Sequence, residues 1–424
     1  MRIGIRGGRI LDPLSNAEKK ADILIEDGKI AAVGEPLEEG CCDRILEAEG
    51  LAVAPGFVDV HVHFRDPGLT YKEDILTGAK ASAAGGYTTV ICMANTKPVI
   101  DNPETLKLVL DKGKQTDIHV LSCAAVTKGM QGKELTDMEE LRRLGAAGFT
   151  DDGKPILDEE LLLAAMEEAV RLNVPISLHE EDPKYIADNG VNRGIISEKL
   201  GIGGSPAEAE ITMVERDCLL AEKTGVKLNI QHISTAGAVE AVRRSKQRGS
   251  HVTAEAAPHH FTLTEDAVLS FGTLAKMNPP LRTESDRLAV IEGLRDGTID
   301  MIATDHAPHS AEEKSLPLTE APSGIIGLET ALALGITQLV KPGYLSLLQL
   351  MEKMSRNPAR LYGLPYAGIA VGAPADLVLF DENEEWTVQR FHSKASNSPF
   401  LGKKLTGRVR YTVCGGKIVY EAEG

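Results

Sequence analysis

The sequence predicts an α/β protein: a (β/α)8 TIM-type barrel carrying a small β-sandwich domain assembled from both ends of the chain. Three observations predict it. Apolar strand-like runs alternate with amphipathic helical stretches about eight times through the middle of the chain; the two ends are strand-rich and alike; and His, Asp and Asn residues stand at or just past the C-terminal ends of several central runs. At 424 residues the chain also exceeds the size of a single core, which suits one large unit and a smaller one.

Taken in order, Arg2 to Ile10, Ala21 to Glu26 and Lys29 to Val33 read as short strands, with a turn at Asp27-Gly28. The far end repeats the pattern, with Ala375 to Phe380 and Arg408 to Cys414 followed by the turn Gly415-Gly416 and Lys417 to Tyr420. Residues 1–52 and 367–424 are therefore expected to form one discontinuous β-rich domain, although the hairpin patterns alone fit two unrelated hairpins equally well. Residues 53–366 are expected to form the barrel. Its strands are expected at Gly56–Phe64, Tyr87–Met93, Ile118–Ala125, Ala147–Asp152, Pro175–His179, Lys227–Ile233, His251–Ala256 and Asp300–Asp305. Helical spacing of apolar residues marks Glu159–Leu172, Ala207–Thr224, Thr235–Arg248 and Ser285–Arg295 between them. A doubly wound open sheet would instead carry a glycine-rich phosphate turn after its first strand, and none is present.

Composition excludes several classes. No apolar run approaches the ~20 residues needed to cross a bilayer, and the N-terminus runs straight into an alternating pattern without the apolar core of a secretory signal. The cytosol is the expected compartment. A formal charge of −16 disfavours nucleic acid and anionic membrane as partners, while leaving room for an anionic small molecule held by a few local cations. Cys41, Cys42, Cys92, Cys123, Cys218 and Cys414 lack CxxC spacing and read mostly as buried reduced thiols.

The chemistry starts at Asp59-Val60-His61-Val62-His63, where two imidazoles two apart on a strand project to one side and can grip one ion. An isolated pair of this kind reads as two structural histidines. What changes the reading is His179 closing Val174–Leu178, His232 closing Lys227–Gln231, the acidic pair Asp151-Asp152 before Gly153, and Asp305 at the end of the last run. In a barrel all these strand ends open onto one face. Imidazole nitrogen and carboxylate oxygen are zinc ligands, and an open coordination position admits water, which points to hydrolysis. Either Asp151 or Asp152 could bridge two metals, and spacing leaves the choice open. Asp305 could ligate with one oxygen and carry a proton with the other.

The segments Asp59–Gly68 and Ala303–His309 through Lys314 resemble the two signature motifs of the dihydroorotase family. Tyr71-Lys72-Glu73, Asn95-Thr96-Lys97-Pro98, Asp151-Asp152-Gly153, Gln231–Thr235, Pro258–Phe261, Asn278–Arg282 and Asn397–Phe400 extend the resemblance over nearly the whole chain, nearest to the type I long-chain bacterial branch. One departure stands out: the family's Met-Pro-Asn-Thr reads Met93-Ala94-Asn95-Thr96 here.

The resemblance implies two zinc ions. One would be held by His61, His63, Asp305 and a bridging aspartate, the other by that bridge with His179 and His232. Motif distance favours Asp152 as the bridge over Asp151, and no carboxylated lysine is expected. The resemblance also implies that Arg65, Asn95 and His309 surround the substrate carboxylate, with Asn278, Ser323 and Gly324 meeting the ring amides and His63 also lining the substrate. The implied reaction is the reversible cyclisation of N-carbamoyl-L-aspartate to L-dihydroorotate. A homodimer is expected, with association with aspartate transcarbamoylase as a further option, and Ser310 to Pro322 is a candidate covering loop. The rival readings are a hydantoinase or allantoinase, and a non-catalytic homologue scaffolding aspartate transcarbamoylase; every implied ligand position is filled, which counts against the last.

Overall fold

The computed structural model describes every residue except Met1, Glu35, Glu39, Ala367 and Gly424. Five strands open the chain: β1 (Arg2–Asp12), β2 (Ala17–Glu26), β3 (Lys29–Val33), β4 (Arg44–Glu47) and β5 (Ala52–Pro55). In β1 and β2, Ile3 and Ile5 flank Gly4, and Ile23 and Ile25 flank the half-buried Leu24, so the isoleucines share one buried face. The barrel strands follow as β6 (Phe57–Val62), β7 (Tyr87–Cys92), β8 (His119–Ser122), β9 (Ile176–Leu178), β10 (Leu228–Ile230), β11 (Val252–Ala256) and β12 (Met301–Ile302). The chain ends with β13 (Leu377–Thr387), β14 (Lys404–Cys414) and β15 (Lys417–Glu421).

Both ends join one eight-stranded sheet in the order β15-β14-β13-β5-β1-β2-β3, with β4 alongside β1. This sheet curls over a core that includes Ile3, Ile23, Leu46, Val53, Leu377 and Val413. Its two tight turns meet: a Cβ on Gly416 would stand 2.6 Å from the Gly28 Cα, and the Gly416 N–H donates to the Ala375 carbonyl. The hairpins at opposite ends of the sequence thus touch within one sheet. The expected domain boundary at Ala367 falls outside the described residues.

In the middle, β6-β7-β8 and β9-β10-β11-β12 are parallel sheets. Single-residue bridges join them into a ring: Phe149 pairs with Ala124 and Ile176 on one side, and His306 pairs with Val62 on the other. The run expected at Ala147–Asp152 therefore contributes one bridging residue and no named strand. Its small residues are the physical reason: glycine and alanine have weak strand preference, and a Cβ on Gly148 would press within 3.0 Å of the Pro175 carbonyl. The expected Asp300–Asp305 strand is also cut short, because its partner β11 ends at Ala256, opposite Ile302.

The helices form where apolar spacing and caps agree. In Glu159–Leu172, Leu162, Ala165, Met166 and Ala169 make the buried stripe, Asp158 accepts the Leu161 N–H at the start, and Asn173 in the left-handed region ends it. Ala236–Gln247 begins where Thr235 accepts the Ala238 N–H, just past the loop that carries His232. No described helix is long and apolar enough to cross a membrane.

Candidate functional site

The side chains expected from sequence sit at the C-terminal rim of the barrel. His61 lies in β6 and His63 just beyond it; Asn95 follows β7, Asp152 follows the Phe149 bridge, His179 follows β9, His232 follows β10 and Asp305 follows β12. The β6 and β12 arms are pinned together by Asp59, which accepts the His61 N–H (3.0 Å), the Thr304 N–H (3.2 Å) and the Thr304 hydroxyl (2.5 Å). That tie fixes His61 against Asp305.

Asp152 is the hub. Its Oδ1 lies 3.4 Å from His61 Nε2 and 3.7 Å from His232 Nε2, and its Oδ2 lies 3.5 Å from His63 Nε2 and accepts from Asn95 Nδ2 at 3.0 Å. Asp305 Oδ1 stands 3.1 Å from His63 Nε2 and 3.5 Å from His61 Nε2. Asp151 points elsewhere: one of its oxygens accepts the Val126 and Thr127 N–H groups (2.8 and 3.1 Å) and the other the Thr127 hydroxyl. Of the acidic pair, only Asp152 has both carboxylate oxygens facing the histidines.

His179 is one step farther out. Its Nδ1 lies 3.0 Å from His232 Nε2, and its Nε2 faces Glu181 at 3.2 Å. Asn278 Nδ2 reaches His179 Nε2 at 3.4 Å, while Asn278 Oδ1 is buried without a partner.

These residues fit a divalent metal. Two groups, His61–His63–Asp305 and His61–Asp152–His232, each place their ligand atoms within 4.8 Å of one another. His61 Nε2 is buried with no hydrogen-bond partner. Buried polar atoms are ordinarily satisfied, and the gaps between His61 Nε2 and two carboxylates are too long for good hydrogen bonds yet suited to two ligands of one ion. Burial opposes charge on Asp305, but His63, His61 and His232 outweigh it and hold the carboxyl well below the usual carboxylate range. The other ring nitrogen of His61 meets Glu255 Oε1 at 2.5 Å, the outer carboxylate that commonly orients a ligating histidine.

Beside this cluster, Arg65 (φ 58°) directs its Nε to the Pro308 carbonyl (3.3 Å), and its Nη2 lies 3.4 Å from His309 Nε2; among the described residues no carboxylate takes its fork. Burial pushes His309 down to about 2, helped by the cations Arg65, Lys72 and Lys314. The ring is therefore neutral: Nε2 donates to the Ser323 carbonyl (2.9 Å) and Nδ1 accepts from Lys72 Nζ (3.3 Å). Asn95 Oδ1 faces His63 Nδ1 at 2.9 Å. Gly324 comes close to the site, but its N–H donates to the Lys276 carbonyl and its carbonyl accepts from Asn397, so both polar groups already have partners. The loop from Ser310 to Pro322 is moored by buried lysines, with Lys276 Nζ on the Ala321 carbonyl (2.7 Å) and Lys314 Nζ on the Pro322 carbonyl (2.8 Å).

Sequence reasoning gave no role to Asp59, Lys72 or Glu255. Asp59 and Lys72 lie inside motifs it quoted, and the signal for Glu255 is an acid within the otherwise apolar run Val252–Ala256. The quoted motifs around His232 and Arg282 also meet, since Arg282 Nε donates to the Ser234 hydroxyl at 3.1 Å.

Fold and site define an enzyme of the cyclic amidohydrolase class. A model of the Amidohydrolase family matches residues 52–419. Among solved structures, an L-hydantoinase (dihydropyrimidinase) from Arthrobacter aurescens superposes with TM-score 0.89 at 27% identity, covering 100% of this chain and 96% of that one. A D-hydantoinase (dihydropyrimidinase) from Thermus sp. does so with TM-score 0.84 at 26% identity, covering 100% and 97%. Relatives named dihydroorotase are much closer in sequence: one from Clostridioides difficile is 57% identical, with 99% of each chain covered, and one from Lactococcus lactis is 48% identical over the full length of both. The chain belongs to the amidohydrolase family and, within it, to the dihydroorotase family.

Proposed function

We propose that this chain catalyses the reversible, zinc-dependent cyclisation of N-carbamoyl-L-aspartate to L-dihydroorotate with loss of water, a step of de novo pyrimidine synthesis. The observation that carries this reading is Arg65: a largely buried guanidinium beside the His/Asp cluster whose fork no carboxylate among the described residues takes. A planar, permanently charged fork is suited to a carboxylate, and both proposed reactants carry one on the carbon two away from the reacting carbonyl.

His61, His63, Asp152 and Asp305 would hold one zinc; Asp152, His179 and His232 would hold the other, with the weaker grip. When bound, the metal supplies Lewis acidity toward the scissile carbonyl and makes water a competent nucleophile near neutral pH. Arg65, Asn95 and His309 hold the substrate carboxylate, His309 by turning its Nε2–H from the Ser323 carbonyl, and His63, Asn278, the freed Ser323 carbonyl and the second lone pair of the Gly324 carbonyl orient the ring. Asp305, kept ionised by its histidine neighbours, accepts the proton of the attacking water and delivers it to the ring nitrogen as the amide bond breaks. In the cyclising direction the same carboxylate takes a proton from the carbamoyl nitrogen, and the side-chain carboxyl of the substrate loses its oxygen as water.

The same reading divides the chain into a barrel at 53–366 and a terminal β-domain, and makes the enzyme a cytosolic homodimer able to associate with aspartate transcarbamoylase. Asp305→Asn tests the mechanism: turnover of dihydroorotate falls by about 10²–10⁴-fold while circular dichroism stays unchanged. Near-normal turnover would end the assignment. A panel containing hydantoin and allantoin separates the family's other ring specificities, with dihydroorotate the only good substrate.

A further inference from the structure

We propose that His119, Asp376 and Cys414 form a separate metal site on the opposite rim of the barrel, one that takes a borderline-soft divalent cation such as Zn2+ through a thiolate, an imidazole and a carboxylate. One ligand atom from each lies within 4.8 Å of the others. The arrangement follows from the fold. His119 is the first residue of β8, so it stands at the N-terminal end of a barrel strand, away from the catalytic face. Leu377 pairs with Val413 across β13 and β14, which makes Asp376 and Cys414 the next opposing positions at that end of the ribbon.

The donors are held for a ligand. His119 Nε2 and Asp376 Oδ2 are 3.1 Å apart, close to the ~3.3 Å edge of a tetrahedron with bonds of about 2.0–2.1 Å. Asp376 cannot swing away, because its Oδ1 accepts the Gly415 N–H at 2.6 Å and its carbonyl accepts the Gly56 N–H. Cys414 is buried, and its thiol donates a long contact, 3.7 Å, to the Thr88 carbonyl. Three protein donors leave a fourth position for water. Nitrogen, oxygen and sulfur together select zinc-like ions over magnesium or calcium, which prefer all-oxygen sets.

Burial and Asp376 push the Cys414 thiol well up, so without an ion it is a neutral S–H and not a nucleophile. On binding, the S–H bond breaks, sulfur forms the bond to the cation and one proton leaves to solvent, so affinity rises with pH. A filled site ties the barrel, through β8, to the terminal sheet, through β13 and β14.

The catalytic cluster contains no cysteine, so a thiolate-to-cobalt charge-transfer band isolates this site. The full-length enzyme, stripped of metal by chelation, is titrated with Co2+ under reducing conditions. The expected result is a near-ultraviolet band whose final intensity corresponds to one thiolate–cobalt bond per chain, absent in Cys414→Ser and unchanged in the double variant Cys41→Ser/Cys42→Ser. His119→Gln, at a half-exposed position that folding tolerates, raises the cobalt needed for half-saturation at least ~10-fold. Dihydroorotate hydrolysis is unchanged in all three. No band at millimolar Co2+, a band that survives Cys414→Ser, or full affinity in His119→Gln overturns the proposal.

Discussion

His61 faces two ways. Its Nε2 points at Asp152 and Asp305, while its Nδ1 meets Glu255 at 2.5 Å. Glu255→Gln keeps the shape and removes the charge that orients the ring, so zinc affinity measured against a chelator should fall by about 10–100-fold with the fold intact; unchanged affinity would assign Glu255 to packing alone. Arg65→Lys keeps one charge and loses the fork. We expect kcat/KM for dihydroorotate to fall by roughly 10–150-fold, the equivalent of about 1.5–3 kcal/mol for a charge-assisted bond. At this scale the sequence was most legible where a polar residue ends an apolar run: His179, His232 and Asp305. It was least legible where the backbone makes the geometry. Arg65, His232 and Asp305 all adopt positive φ (58°, 32° and 48°), a conformation costing about 1–3 kcal/mol each that no residue pattern announces. Glu255 was missed because a strand buried on both faces has no polar side on which an acid would be expected.

Among elements, the two remote hairpins show how much of the design lies in pairing. Asp27-Gly28 and Gly415-Gly416 were readable as turns, but their contact depends on a Cα-to-Cβ clearance that composition does not encode. Gly416 sits at φ 74°, and a Cβ there would meet the Gly28 backbone at 2.6 Å. Gly416→Ala should therefore lower unfolding free energy by about 1–3 kcal/mol in a denaturant titration, with the active site unaffected when folded; no loss would mean the turns do not press together. The fourth barrel run was read as a full strand from its position in the βα rhythm. Alanine and glycine reduce it to the Phe149 bridge, and Asp152 still arrives on the rim because that bridge fixes its register.

Across the whole molecule, the barrel and the terminal sheet are stitched by polar as well as by apolar contact. Glu329, beside the last barrel helices, accepts the backbone N–H groups of His392 (2.9 Å) and Ser393 (3.1 Å) in the arm between β13 and β14. Burial pushes it up from 4.5 to about 7, with Glu73 adding to the rise. A carboxyl raised on folding binds more protons in the native than in the unfolded state between those two values. Its contribution is present below pH 4.5 and is lost as pH climbs to 7. Glu329→Gln should flatten the stability-versus-pH curve over that window; an unaltered slope would place its origin elsewhere.

The alternation of strand and helix was enough to predict the barrel, and strand-end chemistry was enough to locate its working face. Spacing alone left Asp151 and Asp152 open, because neighbouring side chains on a turn diverge; the family resemblance favoured Asp152, and it is Asp152 that faces the histidines. All of this converges on a metal-dependent amidohydrolase, and removing and restoring the metal tests that claim most directly. Protein stripped by chelation should hydrolyse L-dihydroorotate at background rate and recover full turnover as zinc is added back. Equal turnover before and after stripping, or a zinc-loaded protein with no turnover, would contradict it.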